Sequence, residues 1–145
     1  MDIEEKIHST FASVVKSMGY SEVHGRIISS LFVADKELSL QELGKRTGYS
    51  IPSISISLDL LELLGVIKKK KKIGDRKLYV KLDSDLLEGL RRALLLKVQK
   101  ELALTLNELD SYKGRKKGIK KLEKEIRRLE KYINSLAAVE IPKKV

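Results

Sequence analysis

The chain has 145 residues, of which 42% are hydrophobic: enough for one compact domain with an appended element, and too apolar for wholesale disorder. It contains no cysteine, which excludes a disulfide framework and thiolate metal sites and suits a reducing compartment. The net charge of +10 is concentrated in two stretches, residues 66–82 and residues 114–145, each carrying a net +7, while 1–65 carry −3 and 83–113 carry −1. Two such patches are the electrostatic footprint of a polyanion binder, although a charged fraction of 34% is also what thermophilic proteins show.

The opening MDIEEKIHSTF places acidic residues where a signal peptide needs a basic region. No run approaches the roughly 18 uncharged apolar residues of a membrane span. The expectation is a cytoplasmic, nucleoid-associated protein.

Apolar residues at helical spacing (Ile3, Ile7, Phe11, Val14 or Val15) predict a first helix over 3–18, capped by Asp2 and stopped at Gly19. Ser21 caps a second helix through about Ala34, with the stripe Val23, Ile27, Ile28, Leu31 and Phe32. After a turn-like Asp35–Leu38, the capping box Ser39-Leu40-Gln41-Glu42 starts a third helix that runs to about Thr47. Gly48-Tyr49-Ser50 breaks the pattern, and a fourth helix follows over 51–64, with Pro52 in its first turn and Gly65 as its stop. Val66–Lys72 and Lys77–Leu82 read as two strands around Ile73-Gly74-Asp75-Arg76. The remainder is helical, first to about Tyr112 and, after Gly114, from about Lys116 to Ala138.

Two short helices joined by a tight turn match a helix-turn-helix, whose second helix enters the major groove. On the 51–64 helix, Ile54, Leu58, Leu61 and Leu64 form a core stripe, and Ser53, Ile56 and Ser57 are expected on the opposite side, with Ser50 and Pro52 at the leading end. Short hydroxyls permit close approach to phosphates and base edges, and Ile56 suits a thymine methyl. The strands add Lys68, Lys69, Lys70, Lys71 and Lys72, a run that a strand cannot bury on either face, so the hairpin is expected to project with Arg76 and Lys77 along a phosphate backbone. The competing reading is an edge strand protected by lysine, which needs only one or two of them.

The order of helices, the Ser-Ile-Pro-Ser-Ile-Ser segment at 50–55, the Leu61-Glu62-Leu63-Leu64-Gly65-Val66-Ile67 junction and Gly74-Asp75-Arg76-Lys77 with Tyr79 together resemble MarR-type winged-helix regulators, most closely their GbsR-like branch. The resemblance covers about residues 20–82. It implies a dimer on a pseudo-palindromic operator, with Ser53 and Ser57 in the major groove, Arg76 of the wing at the minor groove, and a small-molecule effector between head and tail helices that no residue here identifies. One departure is that 51–64 has no Lys or Arg, while Asp59 and Glu62 are acidic. A bidentate guanine contact from this helix is thereby removed, leaving hydroxyls, methyl contacts and DNA shape to discriminate sequence.

In the last helix Ile119, Leu122, Ile126, Leu129, Ile133 and Leu136 recur at alternating spacings of 3 and 4, a heptad seam. The preceding helix offers a broader stripe including Leu94, Val98 and Leu102. Pairing within an antiparallel hairpin and pairing between two copies both satisfy these seams, and the length of the helices favours the second. The basic cluster Arg115, Lys116, Lys117, Lys120 and Lys121 serves either as a solvated surface or as a second phosphate contact.

His8 and His24 lack the spacing of metal ligands, no glycine-rich loop cradles phosphate, and no Ser-His-acid arrangement can be argued, so neither catalysis nor a cofactor is expected. The fold expected is mainly α with a small β-hairpin wing: a winged helix-turn-helix head over 1–82 and a helical, coiled-coil dimerisation segment over 83–145. The function expected is a homodimeric regulator of transcription on double-stranded DNA. The alternatives are a protein-interaction or basal-transcription module and a non-specific architectural chromatin protein.

Overall fold

The computed structural model describes residues 2–83, 85–112 and 117–144. The elements in chain order are α1 (Ile3–Ser17), α2 (Glu22–Ala34), β1 (Leu38–Ser39), α3 (Leu40–Thr47), α4 (Ile51–Leu63), β2 (Ile67–Lys71), β3 (Leu78–Leu82), α5 (Leu86–Asp110) and α6 (Lys117–Leu136). They form two compact units, Met1–Leu90 and Arg91–Val145.

The helix starts follow from their caps. Asp2 Oδ1 accepts from the Glu5 N–H at 2.8 Å, and Ser50 Oγ accepts from the Ser53 N–H at 3.3 Å. At α3 the capping box is complete: Ser39 Oγ accepts from the Glu42 N–H, and Glu42 Oε1 accepts from the Ser39 N–H, both at 3.1 Å. Gly65 ends α4 in the left-handed region (φ 74°) and turns the chain straight into β2.

In the first unit the core is built by Ile27, Ile28 and Leu31 of α2, Leu43 of α3, Ile54, Leu58 and Leu61 of α4, and Val66, Ile67 and Val80 at the base of the hairpin, all buried. The sheet has three antiparallel strands in the order β1-β3-β2. Strand β1 is an addition to the sequence reading, which has Asp35–Leu38 as a turn. Two residues are too few to show alternation, and Leu38 and Ser39 are extended because they pair with Val80 and Tyr79. Helices α1 and α2 cross so closely at Gly25 that a Cβ there would lie 2.7 Å from Ala12 Cα. The first turn of α5 packs onto the head in the same way, since a Cβ on Gly89 would lie 3.0 Å from Val66 Cα.

In the second unit α5 and α6 run antiparallel, with Gln99 Nε2 donating to Asn134 Oδ1 at 3.0 Å and Arg91 donating to the carbonyls of Leu136 and Val139. Leu102, Leu106 and Leu109 of α5 are buried, whereas no described residue of α6 is. Among the described residues, no helix is long and apolar enough to cross a membrane.

The packing and the caps can each be tested. Gly25→Ala is expected to destabilise by about 1–3 kcal/mol, because the clash is with backbone and outweighs the gain in helix propensity. Gly118→Ala in α6, where a Cβ meets open space, is expected to stabilise by roughly 0.5–1 kcal/mol; denaturant midpoints of the two variants check the opposite signs. The second test concerns acid. The Ser39 N–H holds the Glu42 carboxyl below its usual range, Lys72 does the same for Glu37, and the Lys77 N–H for Asp75. A carboxylate whose folded pKa is depressed contributes stability that is present above its unfolded pKa and lost as pH falls through the folded one. Melting temperature should therefore decline on acidification below the ordinary carboxylate range, and Glu42→Gln should melt lower at neutral pH with a shallower acid decline.

Candidate nucleic-acid interface

The front of the head is made by α4 and the hairpin that follows it. Helix α4 carries apolar residues on most sides, so its exposed stripe is set by what the core leaves free. Ile54, Ser57, Leu58 and Leu61 are buried, which at 100° per residue places them on one face. Pro52, Ser55, Ile56 and Asp59 occupy the other, and Ile56 is 73% exposed. Ser50 is exposed at the leading end and Ser53 is half-buried.

Ser57 is a correction to the sequence reading. It is buried, and its hydroxyl donates to the Ser53 carbonyl at 3.0 Å, because it lies three residues after Ile54 and four before Leu61 on the inward face. Ser55 takes its place as the outward hydroxyl, and its spacing from Pro52 and Asp59 is the signal that could have found it.

The hairpin has an inner and an outer side. Ile67 pairs with Leu82, Lys69 with Val80 and Lys71 with Leu78, and this side carries the buried Ile67 and Val80. The other side carries Lys68 opposite Lys81 and Lys70 opposite Tyr79. Lys69 therefore does not project as expected. Its Nζ is held by Asp59 and, at 3.7 Å, by Glu62, both of α4, and its side chain is only 22% exposed. The hydrogen bond that Lys69 donates to the Asp59 carboxylate raises the Lys69 pKa, so its charge is fixed at neutral pH. Lys72 is likewise engaged, 2.5 Å from Glu37 Oε1 and 4.2 Å above the Tyr79 ring.

The turn is ordered around Asp75, whose carboxylate accepts from the Lys77 N–H at 2.9 Å and the Tyr79 hydroxyl at 2.8 Å, with Gly74 at φ 78°. Ile73 is fully exposed at the tip, and Arg76 and Lys77 are exposed beside it. Among the described residues, Lys68, Lys70, Lys71, Arg76, Lys77 and Lys81 have no ion-pair partner. Lys81 is absent from the sequence reading although it continues the outer side; only the strand register places it beside Lys68.

Of the residues expected at a dimer seam, Leu102 is already buried within the chain and has no area left to offer. Leu94 (48% exposed), Leu122 and Leu129 (43% each) are open, and Val98, Ile119, Ile126, Ile133 and Leu136 are half-buried. Of the expected basic cluster, Arg115 and Lys116 lie outside the described residues. His8 Nδ1 lies 2.5 Å from Ser29 Oγ between α1 and α2, and His24 lies beside Ser21 at the start of α2.

No known sequence family and no curated protein sequence matches the chain. Solved structures do. A transcriptional regulator superposes with a TM-score of 0.66 at 19% identity, over 94% of this chain and 97% of that one. NadR in complex with 4-hydroxyphenylacetate is similar at a TM-score of 0.47 and 22% identity, over 94% and 87% of the two chains. A MepR variant from S. aureus bound to an oligodeoxyribonucleotide is similar at 0.48 and 16%, over 92% of each. The first of these likenesses shows the fold: this chain, with its helix-turn-helix, its small antiparallel wing and two long helices, shares the fold of that solved regulator.

Proposed function

We propose that the protein is a homodimeric, MarR-type regulator of transcription that binds double-stranded DNA, with α4 entering the major groove and the wing lying along the backbone and minor groove. The observation that carries this reading is the outer side of the wing, where Lys68, Lys70 and Lys81 stand together without an ion pair among the described residues, near a single carboxylate, Glu37, that Lys72 already holds, while Arg76 and Lys77 flank the tip. Like charges directly opposite in a sheet are destabilising, and a phosphate backbone converts that cost into counterion release. Ser50, Pro52, Ser55 and Ile56 present a narrow, uncharged edge suited to close approach in a groove. Leu94, Leu122 and Leu129, open in the single chain, are the area offered to a second copy.

The reading in which the acidic helix docks a protein rests on the missing groove-facing Lys and Arg; the engagement of Asp59 and Glu62 by Lys69 lessens the negative charge that helix offers such a partner. No such engagement bears on an effector, whose site stays an expectation of the resemblance.

Two predictions test the proposal. With a duplex selected from a random library, log affinity against log salt should have a slope of about −4 per protomer or steeper, as five or so phosphate contacts require. A slope near zero would falsify the cationic-wing mechanism. The lysines should also separate into two classes. Lys70→Ala is expected to reduce the slope by about 1 without changing the melting temperature. Lys69→Ala is expected to lower stability by roughly 0.5–1 kcal/mol and to weaken binding by leaving two acids facing the DNA, with Asp59→Asn in the same chain restoring the binding. Equal behaviour of Lys69→Ala and Lys70→Ala in both assays counts against the assigned roles.

A further inference from the structure

Helix α6 carries a second cationic surface, arranged differently from the wing. At 100° per residue, Lys117, Lys120, Lys121, Lys124, Arg128 and Lys131 fall within one arc of about 100°, and all six are exposed. The arc runs about 21 Å along the helix at 1.5 Å per residue. It lies opposite the seam of Ile119, Ile126 and Ile133, which is half-covered. The acids of α6 stand off the arc: Glu123 and Glu125 flank it and pair with Arg127 and Arg128, and Glu130 is half-buried on the far side.

This arrangement is costly for an isolated helix. Lys117 and Lys121, Lys120 and Lys124, and Lys124 and Arg128 are like charges at i,i+4, each pair destabilising the helix where an acid at one position would stabilise it. Among the described residues, Lys117, Lys120, Lys121, Lys124 and Lys131 have no ion-pair partner. A solvated helix kept for its own stability alternates signs, as α6 does on its flank. A straight, uninterrupted cationic edge of this length complements a regular line of phosphates.

We propose that the α6 edge is a second, sequence-independent contact surface for the phosphate backbone of duplex DNA. A lipid surface fits less well, because membrane-lying helices set the apolar face beside the bilayer with the charges at its margins, and here the seam and the cationic arc point in opposite directions. The surface stands on α6 alone and does not require the reading of the head, so the two can fail separately.

The test uses the full chain on a long random-sequence duplex, with log affinity followed against log salt. Neutralising Lys120→Gln, Lys121→Gln and Lys124→Gln together is expected to reduce the salt slope by about 2–3. The melting temperature should hold or rise as repulsion is relieved, and Lys→Arg at the same three positions should keep the slope. In a chain whose wing is neutralised at Lys68, Lys70 and Lys71, the remaining salt slope should fall by about a further 2–3 when the α6 changes are added. A salt slope that is unchanged when the wing is neutralised sinks the reading of the head and leaves this one standing. An unchanged slope in the α6 variant overturns the proposal, as does loss of binding to phosphatidylserine vesicles while DNA binding is retained.

Discussion

One ammonium group determines how the front of this protein is assembled. Lys69 reaches from β2 to Asp59 and Glu62 and so joins the wing to α4, the two elements that the proposed function brings to a duplex together. The connection between them is short. The Gly65 N–H donates to the Glu62 carbonyl at 2.9 Å and the Val66 N–H to that of Leu61 at 2.9 Å, which fixes where the strand begins and which of its lysines turns inward. The pair contributes little to stability, since partly exposed ion pairs are worth about 0–1 kcal/mol. Burial of Val66, Ile67 and Val80 at the hairpin base stabilises far more, at roughly 1.5–3 kcal/mol per fully buried side chain. Lys69 therefore sets position and charge: it offsets one of the two acidic charges of α4 and leaves the outer lysines to act on whatever lies in front.

How much of this is legible in the sequence depends on range. Signals that act within four residues are readable: the Asp2 cap, the Ser39–Glu42 box and Gly65 all appear where the residue types place them. Signals that depend on a distant partner are not. Strand β1 exists only because Val80 and Tyr79 lie beside it. The lysine run looks uniform in sequence, yet pairing with β3 divides it, with Lys68 and Lys70 outward and Lys69 inward.

Ser57 escapes the sequence for another reason. The inward stripe of Ile54, Leu58, Leu61 and Leu64 read from the sequence is the buried one, and Ser57, three residues after Ile54 and four before Leu61, lies on it although its hydroxyl suggests solvent. The structure satisfies that hydroxyl within the helix and leaves Ile56 and Leu63 in solvent.

Lysine enrichment by itself says little, because thermostable proteins reach a similar composition through surface ion-pair networks. Networks of that kind place opposite signs next to one another, as Arg127 with Glu123 and Arg26 with Glu22 do here. The outer wing and the α6 edge do the reverse: Lys68 faces Lys81 across the sheet, and lysines follow one another at helical spacing from Lys117 to Lys124. Both arrangements cost the free protein self-repulsion, and both costs vanish when phosphates replace water and counterions in front of them. Added salt screens the lysines from each other as well as from DNA, so it favours the isolated fold while it weakens the complex. It is the placement of the charges, against the interest of the free chain, that points to a polyanionic partner.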